Sequence, residues 1–166
     1  MNDVDRSSRN PSLAVIGIGN PYRGDDGIGI YLVQRIKQDT SYAQDFVEYF
    51  DGGIGGMNLF HLMSSHRKVL LVDAVNCKKQ PGDYVFFSID EISFSNKMSS
   101  LVSTHGSDLF QVIRQVKEFN EFPPDIFIFG VQPEDISLRQ GFSKGIIKNI
   151  SVLESKLQQR INDLVS

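Results

Sequence analysis

Three ionisable residues stand where chemistry can be done: Asp26 in GIGNPYRGDDGIG, Asp73 in KVLLVDAV and His105 in SLVSTHGSDL. Two carboxylates and one imidazole form a three-ligand set suited to a borderline divalent metal such as nickel or zinc. The same trio can serve as acid, base and orienting group in a hydrolysis. Each residue also has a plainer reading. Asp26 can stabilise a helix N-terminus, where a carboxylate meets unpaired N–H groups and the positive end of the dipole. His105, taken alone, can be a structural or solvated histidine at a helix start. Asp73 is harder to explain structurally, because an acid after four apolar residues in a central strand must be paired, neutral or functional if buried.

The other candidates carry less. Gly17-Ile-Gly19-Asn20 invites a dinucleotide reading, but Tyr22 stands where the G-x-G-x-x-G fingerprint needs its third glycine. No Gly-Lys-Ser or Gly-Lys-Thr follows, so there is no phosphate-binding P-loop. Asp51-Gly-Gly-Ile-Gly-Gly has more turn residues than a turn requires and reads as an adaptable, peptide-contacting loop. Cys77 has no activating base near it in sequence and reads as a small packing residue. His61 and His66 read as partly exposed surface or packing residues. Ser103 and Thr104 are explained by helix capping, since no Gly-x-Ser-x-Gly elbow is present. The residue that would deprotonate an attacking water is not readable; Asp25, next to Asp26, is a candidate whose plainer reading is a helix cap.

The elements that must hold these residues alternate along the chain. Apolar runs predict strands at Leu13–Ile18, Phe46–Phe50, Lys68–Val75, Tyr84–Ile89 and Asp125–Val131. Helical spacing predicts helices from Gly27 to about Lys37, from Met57 to Met63, from His105 to Phe119, and one long amphipathic helix carrying Ile146, Ile150, Leu153, Leu157, Ile161 and Leu164. The expected fold is a three-layer α/β/α sandwich with a mostly parallel twisted sheet of about five strands. Ligands in such folds bind beyond the carboxyl ends of the strands. All three candidate residues follow or end a strand, or open the helix after one.

Bulk properties narrow the function. The 166 residues suffice for one domain with its own core. We expect a loose tail over residues 1–11 and a single α/β domain over 12–166. Seventeen basic against twenty acidic residues leave a net charge of −3, which gives no electrostatic pull toward nucleic acid or an anionic membrane. One cysteine excludes an internal disulfide and a multi-cysteine zinc site. This composition fits a reducing cytoplasm, and no apolar run is long enough to span a bilayer.

Taken together, GIGNPYRGDDGIG, DGGIGG, VLLVDAV, STHGSDL and GVQPED resemble, in the same order, the motifs of the nickel-iron hydrogenase maturation endopeptidases. The resemblance runs from about Leu13 to the last helix. It implies an α/β/α peptidase that removes a short C-terminal peptide from a hydrogenase large-subunit precursor once nickel has been inserted. It further implies that Asp26, Asp73 and His105 bind metal and take part in catalysis, the nickel arriving with the precursor. Ile54 departs from the pattern, where threonine is common. Asp26 stands where some members have glutamate. The expected partner is the precursor, with no nucleic acid and no membrane insertion, and the chain is expected to act as a cytoplasmic monomer. The rival readings are a non-catalytic module that senses nickel, and an unrelated small hydrolase using the same Asp-Asp-His set.

Overall fold

The computed structural model describes residues 13–39, 41, 45–93, 102–103, 107–121 and 124–166. The expected N-terminal tail lies outside the described residues, and so does His105. In chain order the elements are β1 (Leu13–Gly17), a 3-10 turn (Gly24–Gly27), α1 (Ile28–Gln38), β2 (Val47–Asp51) and α2 (Met57–Ser64). There follow β3 (Lys68–Asn76), β4 (Tyr84–Ser88), α3 (Ile89–Ser93), β5 (Val102–Ser103) and α4 (Ser107–Phe119). The chain closes with β6 (Asp125–Val131), α5 (Lys144–Ile147) and α6 (Ile150–Val165).

The sheet order is β2-β1-β3-β6-β4, with β5 paired to β3. β2, β1, β3 and β6 are parallel to their neighbours, while β4 runs antiparallel on β6. Strand alternation sorts the core into two layers. Leu13, Val15, Leu70, Val72, Phe129 and Val131 meet α1 and α6. Ala14, Ile16, Val69, Leu71, Ile126 and Ile128 meet α2 and α4. Central parallel strands buried on both faces explain why β3 reads as an almost unbroken apolar run.

β1 lies between β2 and β3. The crossover through α1 therefore leaves one face of the sheet, and the crossover through α2 leaves the other. The strand order reverses there, and the carboxyl ends of β1 and β3 flank a crevice in which such sheets bind ligands.

Three details differ from expectation. The long C-terminal helix is two helices. Ser143 caps α5, accepting from the Ile146 N–H at 3.4 Å. The chain then bends at Asn149, whose Nδ2 donates to the Gly145 carbonyl at 2.8 Å. That bond satisfies a carbonyl that a continuous helix would have used. The short elements α3 and β5 also went unanticipated. β5 has two residues, too few to show a period.

Candidate active site

Glycine makes the crevice possible. At Gly29, in the first turn of α1, a Cβ would run into the carbonyl oxygens of Val72 and Ile18. At Gly17 it would come within 2.7 Å of the Gly29 carbonyl oxygen. The helix thus rests directly on the strand ends. The 3-10 turn before it packs against β3. This local geometry brings the segment bearing Asp26 to β3, the strand that carries Asp73.

Both acids are buried: Asp26 is 2% exposed and Asp73 is 0% exposed. The Asp26 Oδ2 accepts the Asn20 N–H at 3.0 Å. The Asp73 Oδ1 accepts the Ala74 N–H at 2.8 Å. The N-cap position of α1 is Gly27, which makes no side-chain capping bond. Asp26 therefore folds back on its own loop, and its carboxylate bonds the Asn20 N–H at the start of that loop. Asp73 lies opposite Gly130 of β6 in the register. Alternation along β3 places it on the face of α2 and α4. Beyond it, Val75 pairs with Ser103 of β5, two residues before His105. Among the described residues no three His, Cys, Asp or Glu side chains gather as a metal site. Two of the three sequence candidates are thus buried, Asp73 in β3 and Asp26 in the 3-10 turn that packs against β3, and the third lies outside the described residues.

Asp25 does something the sequence did not disclose. It was expected to cap a helix. Its buried carboxylate instead accepts the N–H groups of Glu134, Asp135 and Ser143 at 2.7–2.9 Å, and the Ser143 hydroxyl at 2.7 Å. It clasps the loop after β6 to the loop after β1. Around it, the Gly24 N–H donates to the Arg139 carbonyl, the Arg139 N–H to the Tyr22 carbonyl, and the Arg23 Nε to the Ile136 carbonyl. The GVQPED motif is thus a brace. Gln132 completes it: its Oε1 accepts the Cys77 N–H at 2.8 Å and the Lys79 N–H at 3.3 Å. Within the same loop, hydrogen bonds from Ser137 and then Arg139 hold the exposed Asp135 carboxyl down at about 2.

The remaining candidates are structural. Burial pushes the Cys77 thiol up from its ordinary value, which opposes a thiolate nucleophile. His66 is buried; its Nδ1 bonds the Leu62 carbonyl at 2.8 Å and its Nε2 the Glu48 carboxylate at 2.9 Å, near the amino end of β3. That is the edge away from the crevice. His61 is exposed on α2.

The fold is that of an α/β/α protein with two buried acids, Asp26 and Asp73, near the point where strand order reverses. The sequence profile of the hydrogenase maturation proteases matches residues 30–159. Hydrogenase 2 maturation protease of Escherichia coli strain K12 is 29% identical over 150 residues, covering 89% of this chain and 87% of that protein. The hydrogenase expression/formation protein HupD of Rhizobium leguminosarum bv. viciae is 26% identical over 127 residues, covering 76% of this chain and 61% of that one. The solved structure of the hydrogenase maturating endopeptidase HybD from E. coli superposes with a TM-score of 0.75 at 26% identity, covering 91% of this chain and 92% of that one. The chain belongs to the hydrogenase maturation protease family, and it is a peptidase.

Proposed function

We propose that this peptidase removes the C-terminal peptide of a nickel-iron hydrogenase large-subunit precursor after nickel has been inserted, with Asp26, Asp73 and His105 as its ligands to a nickel that the precursor carries. The observation that supports this reading is that two acids are buried in elements packed against each other, Asp26 in the 3-10 turn and Asp73 in β3. Carboxylate oxygens are donors to divalent cations, and two of them beside the strand-order reversal suit a cation that arrives there. The sequence proximity of His105 to Ser103, and the pairing of Ser103 with Val75, support adding the imidazole to the set.

The chemistry follows from what the chain offers. The nickel would act as template and as Lewis acid on the scissile carbonyl. Asp26 and Asp73 would orient it, and His105 would complete the protein's share of the shell. Water is the nucleophile in this reading, because burial pushes the Cys77 thiol up from its ordinary value, which disfavours a thiolate. Asp25 holds the loop after β6, since its buried carboxylate accepts four hydrogen bonds from that segment. Three ligands leave the shell open, and none is a thiolate, so the free protein should hold metal weakly. Recognition then becomes a difference in affinity between loaded and unloaded precursor.

The test is to purify the protein, measure its metal content, and compare binding and cleavage of precursor with and without nickel. The expected result is little bound metal and shortening of the loaded precursor alone. Stoichiometric, tightly held metal or equal handling of both forms would overturn the reading.

A further inference from the structure

We propose that Ile54 is a specificity-determining residue: with Met57 it forms a subsite for an uncharged aliphatic side chain of the precursor, in the extended segment adjoining the scissile bond. This rests on the precursor-processing reading above. The loop after β2 leaves Asp51 and turns at Gly52. It is fastened to the loop after β1 by two bonds: the Gly52 N–H donates to the Gly17 carbonyl at 2.8 Å, and the Gly19 N–H to the Gly53 carbonyl at 2.9 Å. The residue after Gly19 is Asn20, whose N–H the Asp26 carboxylate accepts. The loop is therefore structurally continuous with the crevice at which the substrate of this peptidase must be cut.

The loop is held open. Gly53, Gly55 and Gly56 have φ of 58°, 100° and 90°. A Cβ at Gly53 or Gly56 would meet nothing within 4 Å. Glycine is required there by the backbone angle and not by a neighbour, so free space remains above the loop. Between the loop and α4 lies a groove of about 360 Å³. Its lining includes Ile54, Met57, Val112, Gln111 and Gln115 and, among the described residues, no charged side chain. Ile54 is 65% and Met57 69% exposed. Two large apolar side chains held out to water beside a neutral groove gain by meeting an aliphatic partner. Gln111 and Gln115 stand one turn apart on α4, and each amide both donates and accepts. That pair suits the N–H and C=O groups of an extended peptide. A charged side chain would lose hydration there and find no counter-ion among the described lining residues.

The experiment uses the full chain and the nickel-loaded large-subunit precursor of a hydrogenase from the same organism. Binding and cleavage are measured separately for the wild type, Ile54→Asp, Ile54→Val and, as a control on the opposite layer, Val152→Ser. Because Ile54 is exposed, all variants should keep the wild-type circular dichroism spectrum and melting temperature. Ile54→Asp should raise Kd and KM about tenfold, the effect of losing much of one buried aliphatic contact, with kcat little changed. Ile54→Val should restore both to within about twofold, and Val152→Ser should leave both unaltered. Wild-type binding and cleavage by Ile54→Asp would overturn the proposal, as would a loss confined to kcat. A wild type that binds the precursor but leaves it whole would overturn the processing reading, while the ratio of Kd values still decides the subsite. A wild type that does not bind the precursor would overturn both.

Discussion

Replacing Asp25 by asparagine tests the clasp that holds the site together. The Oδ2 atom accepts three of the four hydrogen bonds, from the N–H groups of Glu134 and Asp135 and from the Ser143 hydroxyl. The Oδ1 atom accepts the fourth, from the Ser143 N–H. An asparagine can place its oxygen at the Oδ2 position and keep three bonds. Its amide nitrogen then faces the Ser143 N–H, so one buried donor loses its acceptor. That costs about 1–3 kcal/mol. The three surviving bonds also lose their charge assistance, which weakens each of them. The sum is about 2–4 kcal/mol for Asp25→Asn. Asp25→Ala, which orphans all four donors, should cost more, about 4–5 kcal/mol, at the upper end for single substitutions. Urea unfolding followed by circular dichroism at 222 nm reads these values. With a slope of about 2 kcal/mol per molar urea, the asparagine variant should shift the midpoint down by roughly 1–2 M at unchanged slope. A variant within about 0.5 kcal/mol of the wild type would show that the clasp contributes nothing, and the account of GVQPED as a brace would fail with it.

Asp73→Asn keeps the shape of the side chain and an oxygen for the Ala74 N–H, so the protein should fold; precursor processing should nevertheless fall by at least tenfold, and normal cleavage would make Asp73 structural. The Cys77 thiol, pushed up by burial, should react with iodoacetamide more slowly than free cysteine at pH 8, and its rate should still be climbing where that of free cysteine has levelled; a plateau at or below the free-cysteine value would refute this. Gly29→Ala should destabilise the fold by about 3 kcal/mol or more in the same urea assay, because the new methyl meets two backbone carbonyls that cannot move independently of β1 and β3; wild-type stability would show that α1 can lift away from the strand ends.

Periodicity carried most of the architecture. β3 and α4 were readable because their apolar positions are long and regular: Leu109, Val112, Ile113 and Val116 are buried as their spacing requires. The C-terminal break was not readable for the same reason. Ile146 and Ile150 keep helical spacing across Asn149, so the apolar pattern is blind to a bend made by one amide reaching the Gly145 carbonyl. Asp73 was legible as unusual, because an acid interrupting a buried run conflicts with its surroundings. Asp26 was legible by position alone.

Asp25 and Asp26 show where reading from sequence stops. They are adjacent, chemically identical and both buried. Local rules assign them the same role at the start of the same helix. What separates them is the direction of each side chain and the loop it meets. Asp26 bonds Asn20, six residues away, within its own loop. Asp25 bonds Ser143, 118 residues away, and Glu134 and Asp135 besides. No window along the chain contains that partnership; it exists only once β6 has been laid beside β3 and the loop after it returns over the crevice. The pairing also explains why two acids stand together. One is used up by three backbone N–H groups and a hydroxyl, which fixes the loop. Its neighbour is thereby held with a defined orientation, which the proposed binding of a cation would use.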